Sequence, residues 1–162
     1  HDAAADAEQL FARPRDVSDN PTPSGTSSLI AALRLVGLLA DDDALIERAD
    51  LAAGTVRGLL EQAPRFAGSA LLDALVADEA RTGLRPAVAV VVGGPLGQDA
   101  RATWRMAPIG TAIVTGAAGT QGFAHHFDER TAPGVYVCRG TTCFPPTSDL
   151  VELRTALWSR VI

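Results

Sequence analysis

The chain has 162 residues, of which 47% are hydrophobic and 20% charged, and this is the composition of a globular protein with a core. Its formal net charge is −5, and its 14 basic residues are all arginines scattered without a basic stripe, which argues against a nucleic-acid partner. No apolar run approaches the roughly 20 residues that a membrane-spanning helix needs, so the sequence also argues against a membrane partner.

The first stretch, HDAAADAEQLF, has no basic segment followed by an apolar core, so it does not look like a secretory signal. The sequence does not begin with methionine, and we therefore expect a fragment or a processed product of a longer protein. Because two cysteines are too few for a disulfide scaffold, the sequence predicts a cytoplasmic protein.

Polar, turn-forming residues continue to residue 23 and end in RPRDVSDNPTPSG, where the prolines forbid a helix. Long irregular segments in compact proteins are often functional, and carboxylates in a pocket can bind sugar hydroxyls or transfer protons. Asp and Asn also bond their own backbone in turns and helix caps, and spacing alone favours this second interpretation. The candidate residues of this segment are Arg13, Asp16, Asp19, Asn20 and Ser24.

Three helices are predicted before residue 83. The first begins near Ser24 or Thr26 and ends near Ala40, and because Arg34 is its only charge after residue 28, we expect burial on more than one side. The second, over residues 42–62, has one polar face, and the third, over residues 69–82, is again strongly apolar. Alternating buried and half-exposed helices are typical of a layered helical array or an α/α toroid, of which three helices would be only a part.

A small α/β unit is predicted after residue 83. Residues 87–92, AVAVVV, read as a buried strand, residues 98–107 as a short helix and residues 111–115 as a second strand, with enough chain between the strands for a parallel crossover. VYVC, residues 135–138, is the third strand. Asp149 and Glu152 have capping-box spacing for a final helix.

The stretch TAIVTGAAGTQG raises the question of a dinucleotide site, because Gly116, Gly119 and Gly122 could let a pyrophosphate approach the backbone, and Arg139 could meet a 2′-phosphate. Three features favour a plain loop between strands instead. The following segment has little room for a crossover helix, no second half of a Rossmann sheet follows, and the strand is not the first of its unit. NAD(P) binding is therefore the weakest hypothesis, and no cofactor is expected.

Cys138 and Cys143 in VYVCRGTTCFPP allow a disulfide, a redox pair, or half of a metal site completed by His125 and His126. Adjacent histidines point in different directions on a helix or a strand, so both are poorly placed to bind one metal ion. No metal ion is therefore expected. The pattern favours a simpler interpretation, with Cys138 a small apolar residue of a buried strand and Cys143 a loop thiol.

Two stretches together resemble the YyaL-type thioredoxin-domain-containing proteins, which are related to spermatogenesis-associated thioredoxin-like proteins. DAAADAEQLFARPRDVSDNPTPSGTSS is similar to a family pattern D-x-A-x-x-x-x-L-x-x-R-P-K-D-x-x-D-N-x-x-P-S-G-N-S, with Arg15 in place of lysine and Thr26 in place of asparagine. VYVCRGTTCFPPTSDLVEL is similar to the family's Y-V-C-x-x-x-x-C-x-x-P-x-x-D-x-x-x-L. Their order and spacing also agree, so the resemblance covers essentially the whole chain.

The resemblance implies a larger protein, in which an N-terminal thioredoxin-like domain precedes an (α/α)₆ barrel similar to N-acylglucosamine 2-epimerases and cellobiose epimerases. The expected fold is mixed α and α/β. Residues 1–83 would be the last helices of the toroid, and residues 84–162 a small three-stranded α/β appendage. The expected partners are the upstream barrel, the thioredoxin-like domain and a small saccharide bound by the polar segment.

Two functions of different class follow from that resemblance. The chain is either part of a carbohydrate-binding or sugar-epimerase-like protein, or a structural module that seals the barrel and holds the thioredoxin-like domain or another subunit. Epimerases need a general acid and base, often histidines, and no obvious pair is present in this sequence. Whether the protein is an enzyme is left open by its residues.

Overall fold

The computed structural model describes residues 16–82, 86–93, 97–121 and 124–159. Within these ranges the α-helices are α1 (Gly25–Ala40), α2 (Asp43–Gly54), α3 (Arg57–Gln62), α4 (Gly68–Arg81), α5 (Gln98–Met106) and α6 (Leu150–Trp158). The strands of the same described ranges are β1 (Val88–Val92), β2 (Ala112–Gly116), β3 (Gly134–Arg139) and β4 (Thr142–Cys143), and short 3₁₀ helices cover Pro64–Phe66 and Ala124–Phe127. The class is therefore mixed α and β.

The chain forms two compact units. The first contains the described residues up to Gly37 together with Asp42–Leu75, and the second contains Leu38–Asp41 together with the described residues from Val76 onward. The assignment of residues 1–83 to a barrel and 84–162 to an appendage stays a prediction.

Helix α1 begins and ends with local hydrogen bonds that its sequence supplies. The Ser24 hydroxyl accepts a hydrogen bond from the Ser27 amide at 3.1 Å, so of the two predicted caps, Ser24 and Thr26, it is Ser24 that caps the helix. At the other end Asp41 has φ 52°, and the Asp42 amide donates to the Gly37 carbonyl at 2.9 Å, the pattern of a Schellman motif.

The segment predicted as one helix over residues 42–62 is two helices, so that prediction was wrong. The chain leaves α2 after Gly54, where the Thr55 hydroxyl donates to the Ala52 carbonyl at 2.7 Å and closes the turn. This break places Val56, which is 1% exposed, in the core of the first unit with Ile30 and Ala70. The apolar residues on both sides of the turn pack into the same cluster, so the 3.6-residue apolar period runs through the turn and does not reveal the break.

The second unit is built on a mixed sheet with strand order β2-β1-β3-β4. β1 pairs in parallel with β2, with Val88 opposite Ala112, and α5 supplies the predicted crossover. β1 is antiparallel to β3, with Val88 opposite Cys138. Every residue of β1 is buried, because one sheet face packs with α5 and α6 residues and the other with Phe127 and the end of α1.

The described residues of this sheet form four strands, so the prediction of a three-stranded unit was wrong. β4 contains only two residues, too few to show a hydrophobic period, and a two-residue turn joins it to β3. Gly140, the first residue of that turn, has φ 57°, which suits a type II′ hairpin turn.

Helix α6 has the predicted N-cap but not the reciprocal half of the capping box. The Asp149 carboxylate accepts hydrogen bonds from the amides of Val151 and Glu152, both at 2.9 Å. The Glu152 carboxylate instead accepts from the Thr147 hydroxyl at 2.7 Å, and the Asp149 amide donates to that same hydroxyl oxygen at 3.1 Å. Among the residues that the structure describes, no helix combines the length and the apolar character that a membrane crossing requires.

Candidate functional site

The carboxylate of Asp19 joins the polar segment before α1 to the start of α4. One oxygen accepts a hydrogen bond from the Ser24 amide at 2.8 Å, and the other accepts from the amides of Ser69 at 2.8 Å and Ala70 at 3.2 Å. The Asp19 amide in turn donates to the Phe66 carbonyl at 2.7 Å. Asp19 therefore caps α4 from a position far away in the sequence, where local pattern gives no sign of the contact.

These contacts also set the charge of Asp19. Partial burial alone would raise its pKa, but the hydrogen bonds from the Ser24 amide, the Ser27 hydroxyl and the two α4 amides outweigh that effect, so its pKa lies below the ordinary 3.8. Asp19 is thus an ionised carboxylate at neutral pH.

The other candidate residues of this segment have different surroundings. Asp16 is exposed and accepts hydrogen bonds from the Ser18 hydroxyl at 2.7 Å and the Ser18 amide at 2.8 Å, which lower its pKa. Ser24 is buried beside Ser27, and Asn20 is exposed and precedes Pro21 through a cis peptide bond. Arg13 lies outside the described residues. The structure thus brings Asp19 and Ser24 together, and a saccharide site at these residues stays a prediction.

Arg34 forms a charged cluster that links three helices of the first unit, and sequence reasoning missed its partners. Its guanidinium contacts Asp73 on α4 and Asp50 on α2, each at 2.6 Å. The Arg34 side chain is 14% exposed and that of Asp73 only 8%, whereas Asp50 is 56% exposed. Burial alone would lower the pKa of Arg34, but its bonds to the two carboxylates outweigh this and raise it. A single arginine in an apolar helix was the available signal, because such a charge needs a buried partner.

The glycine-rich stretch after β2 serves packing and a turn. A Cβ on Gly116 would lie 2.9 Å from the Phe127 ring and 2.8 Å from the Thr120 hydroxyl, and Gly119 has φ 72°. The next described helix is the 3₁₀ segment Ala124–Phe127, not an α-helix whose N-terminus could hold a pyrophosphate. Gly122 lies outside the described residues.

Arg139, the residue considered for a 2′-phosphate, is buried at 6% exposure and binds the end of α6. Its guanidinium donates to the carbonyl oxygens of Ala156 and Leu157, two of the last carbonyls of that helix. Burial lowers the pKa of Arg139. It also borders a pocket with Val76 and Glu79 that has room for about one water molecule.

Cys138 and Cys143 are bonded to each other, so the interpretation of Cys143 as a loop thiol was wrong. They are direct cross-strand partners of β3 and β4, a relation that becomes visible only when the second strand of the hairpin is known. The ring Nε2 of His126 lies 2.7 Å from the Leu39 carbonyl oxygen. Across the described residues, no group of three or more His, Cys, Asp or Glu side chains is arranged to hold a metal ion.

Large apolar side chains stand exposed on three helices of the first unit, and on α2 this is Leu51, which is 76% exposed. We call the set on α1 the α1 stripe; its members Leu29, Leu35 and Val36 are 52%, 47% and 50% exposed. Leu71, Leu72 and Leu75 on α4 are 43%, 47% and 53% exposed. Within α1 the buried residues are Ser27, Ile30 and Gly37, and Leu38 and Leu39 at its end pack against the cluster that contains Phe127. The α1 stripe is uncovered, so α1 is less fully covered than the sequence predicts.

Comparisons with protein-family models, with curated proteins and with solved structures found no match to this chain. A function for the chain has to follow from its own residues and their geometry.

Proposed function

We propose that this chain is the C-terminal part of a thioredoxin-like/α-toroid protein, and that its role is structural. Its first unit contributes helices to an (α/α)₆ ring whose earlier helices come from the upstream part of the same polypeptide. The chain completes that ring and helps to hold the thioredoxin-like domain. A cytoplasmic location belongs to the same proposal.

The uncovered α1 stripe carries this proposal. A helix in a closed toroid packs on both sides, whereas α1 leaves three large apolar side chains about half exposed. Complete burial of such a side chain stabilises by about 1.5–3 kcal/mol, so covering the exposed half of each would contribute roughly half of that per residue. Neighbouring helices of the same polypeptide are the occupants that the resemblance implies.

The charges of the polar segment argue against Asp16 and Asp19 as general acids. A general acid must hold a proton near neutral pH, but the pKa values of Asp16 and Asp19 are both lowered, so both are carboxylates there. Both oxygens of Asp19 already accept backbone amides. Carbohydrate binding or sugar-epimerase-like activity in the complete protein is therefore the second hypothesis, and among the described candidates of this segment Asp16 and Asn20 are the exposed ones.

The test has two parts. The intact mass of the native gene product is measured first, and we expect it to exceed that of these 162 residues. The product is then compared with the chain alone by hydroxyl-radical footprinting, with lower modification of Leu29, Leu35 and Val36 expected in the complete protein.

The control is Leu150 on α6 in the second unit, which is 49% exposed and should be modified equally in both samples. A native product no heavier than this chain, or equal modification of the α1 stripe in both samples, would contradict the proposal. Both samples are compared at a concentration at which the chain alone is monomeric, so that association through the α1 stripe does not protect it.

A further inference from the structure

The β3–β4 hairpin carries the Cys138–Cys143 disulfide at the edge of the sheet. Cys138 is 6% exposed within β3, whereas Cys143 is exposed in β4, the last strand of the order β2-β1-β3-β4. The two cysteines thus differ in exposure, and a reactant from solvent reaches Cys143 on the edge strand more readily than the buried Cys138.

The Arg130 guanidinium lies against this disulfide. Its Nη2 is 3.4 Å from the Cys138 sulfur and 3.3 Å from the Cys143 sulfur. The guanidinium is held by a hydrogen bond from Nη1 to the His126 carbonyl and lies 5.5 Å from the centre of the Tyr136 ring. An arginine stays cationic at physiological pH, and a cation beside a cysteine stabilises its thiolate.

This position of the charge matters for exchange chemistry. A disulfide breaks when a thiolate attacks one sulfur and the other leaves as a thiolate, and the reaction is faster when the leaving thiol has a low pKa. Attack on the exposed Cys143 sulfur makes Cys138 the leaving group, and Arg130 already stands next to it. A purely structural hairpin disulfide does not need a cation in contact with both sulfurs.

We propose that the Cys138–Cys143 hairpin is a thiol–disulfide exchange site that oxidises dithiols. One thiolate of the dithiol attacks the Cys143 sulfur, the Cys138–Cys143 bond breaks, and a mixed disulfide with Cys143 forms while Cys138 leaves as a thiolate beside Arg130. The second thiolate of the dithiol then attacks the substrate sulfur that is bonded to Cys143. A disulfide forms within the substrate, and Cys143 leaves as a thiolate. The substrate loses two electrons and becomes a disulfide, the protein pair gains them, and the two thiol protons pass to solvent or to the new cysteine thiolates.

The proposal does not depend on the ring proposed above, because every group in it belongs to the second unit. The shared chemistry of the substrate is a pair of thiols, which either a small molecule or another polypeptide can supply.

The first test uses the full chain in its oxidised form, verified by intact mass, with dithiothreitol or a reduced synthetic peptide that contains two cysteines as the dithiol. We expect both dithiols to reduce the pair without denaturant and to be oxidised in equal amount. A faster reaction with the peptide would indicate a polypeptide substrate, and a reaction with dithiothreitol that is as fast or faster would indicate a small dithiol. Reduction only after denaturant unfolds the chain would overturn the proposal.

The second test concerns Arg130. Arg130→Gln should slow reduction by dithiothreitol about threefold to tenfold, because Cys138 becomes a poorer leaving group, while Arg130→Lys should keep most of the rate. Arg105→Gln on the exposed side of α5 is the control and should react like the unchanged chain. Equal rates for Arg130→Gln and the unchanged chain would overturn the proposal.

The third test remains informative even if Arg130→Gln does not fold. Cys138→Ser leaves only the exposed Cys143 thiol, and Cys143→Ser leaves only the buried Cys138 thiol. With glutathione disulfide as the probe, Cys138→Ser should form the mixed disulfide roughly tenfold faster or more. Equal rates, or faster reaction of Cys143→Ser, would overturn the assignment of Cys143 as the attacked sulfur.

Discussion

Asp19 is bonded to amides that lie 50 and 51 residues further along the chain. At the scale of single residues, such contacts stabilise the first unit by satisfying amides at a helix start that would otherwise lack partners. Arg139 does the corresponding work in the second unit, where it binds two carbonyls at the end of α6. Both residues looked like ligand-binding candidates, and both bind the protein's own backbone.

Asp19→Asn should destabilise the chain by about 1–2 kcal/mol at pH 7, because an amide has one acceptor oxygen in place of two charged ones. The pKa of Asp19 is lower folded than unfolded, so its ionisation stabilises the fold above the ordinary pKa of 3.8, and this contribution is lost as pH falls through the folded pKa. We therefore expect the difference between Asp19→Asn and the unchanged chain to shrink at pH 3. Urea unfolding at both pH values measures it.

The control for that substitution is Asp78→Asn. Asp78 is 70% exposed and lies 3.9 Å from Arg81, so its loss should change stability by less than about 0.5 kcal/mol. Equal stability of Asp19→Asn and Asp78→Asn would show that the capping contacts contribute nothing.

At the scale of elements, α1 and α2 approach closely at a glycine. A Cβ on Gly37 would lie 2.8 Å from the Ile46 Cδ1 and 3.0 Å from the Asp42 carbonyl oxygen. Glycine inside a helix normally costs stability relative to alanine, so its presence here is explained by the space that α2 leaves.

Gly37→Ala should therefore destabilise the chain by about 1–3 kcal/mol, against the usual helix preference. Gly58→Ala in α3 is the matched control, because nothing lies within 4 Å of its Cβ, and it should stabilise by about 0.5–1 kcal/mol. Adding Ile46→Val, which removes the Cδ1, should recover part of the loss. Thermal unfolding of the three variants decides, and a stabilising Gly37→Ala would refute the close approach.

The charged cluster of Arg34 is a second connection between elements, and burial should decide how much each partner contributes. Asp73→Asn should cost about 2–3 kcal/mol, because it leaves a mostly buried guanidinium without its buried partner. Asp50→Asn breaks a contact of the same 2.6 Å length but at 56% exposure, and should cost less than about 1 kcal/mol. Urea unfolding measures the free energy of unfolding of both variants. Equal losses would show that burial does not set how much each ion pair contributes.

At the scale of the whole molecule, the exposed leucines predict how the isolated chain behaves in solution. Apolar surface without a cover promotes association, so the chain alone should shift to larger species as its concentration rises. A variant with Leu29→Gln, Leu35→Gln and Val36→Gln should stay monomeric over the same range, whereas Leu150→Gln should associate like the unchanged chain. Size-exclusion chromatography with light scattering measures this, and association that the triple variant leaves unchanged would contradict the role of the α1 stripe.

Much of the secondary structure was predictable because it depends on neighbours in sequence. The buried strand β1, the parallel crossover through α5, the Ser24 cap and the Asp149 cap all follow from local pattern, and all are confirmed. The break at Thr55 and the strand β4 were not predictable in this way. One lies within a continuous apolar period, and the other is too short to have a period.

The sequence by itself determined where most helices and strands form, since capping bonds and apolar periods act over a few residues. Only the tertiary structure decided what the charged residues and cysteines do. Asp19, Arg34, Arg139 and Cys143 each meet a partner on another element, and which partner it is depends on how the chain folds back on itself. Local sequence does not predict these partners, because a buried charge or thiol can bond to any suitable group that the fold places within reach.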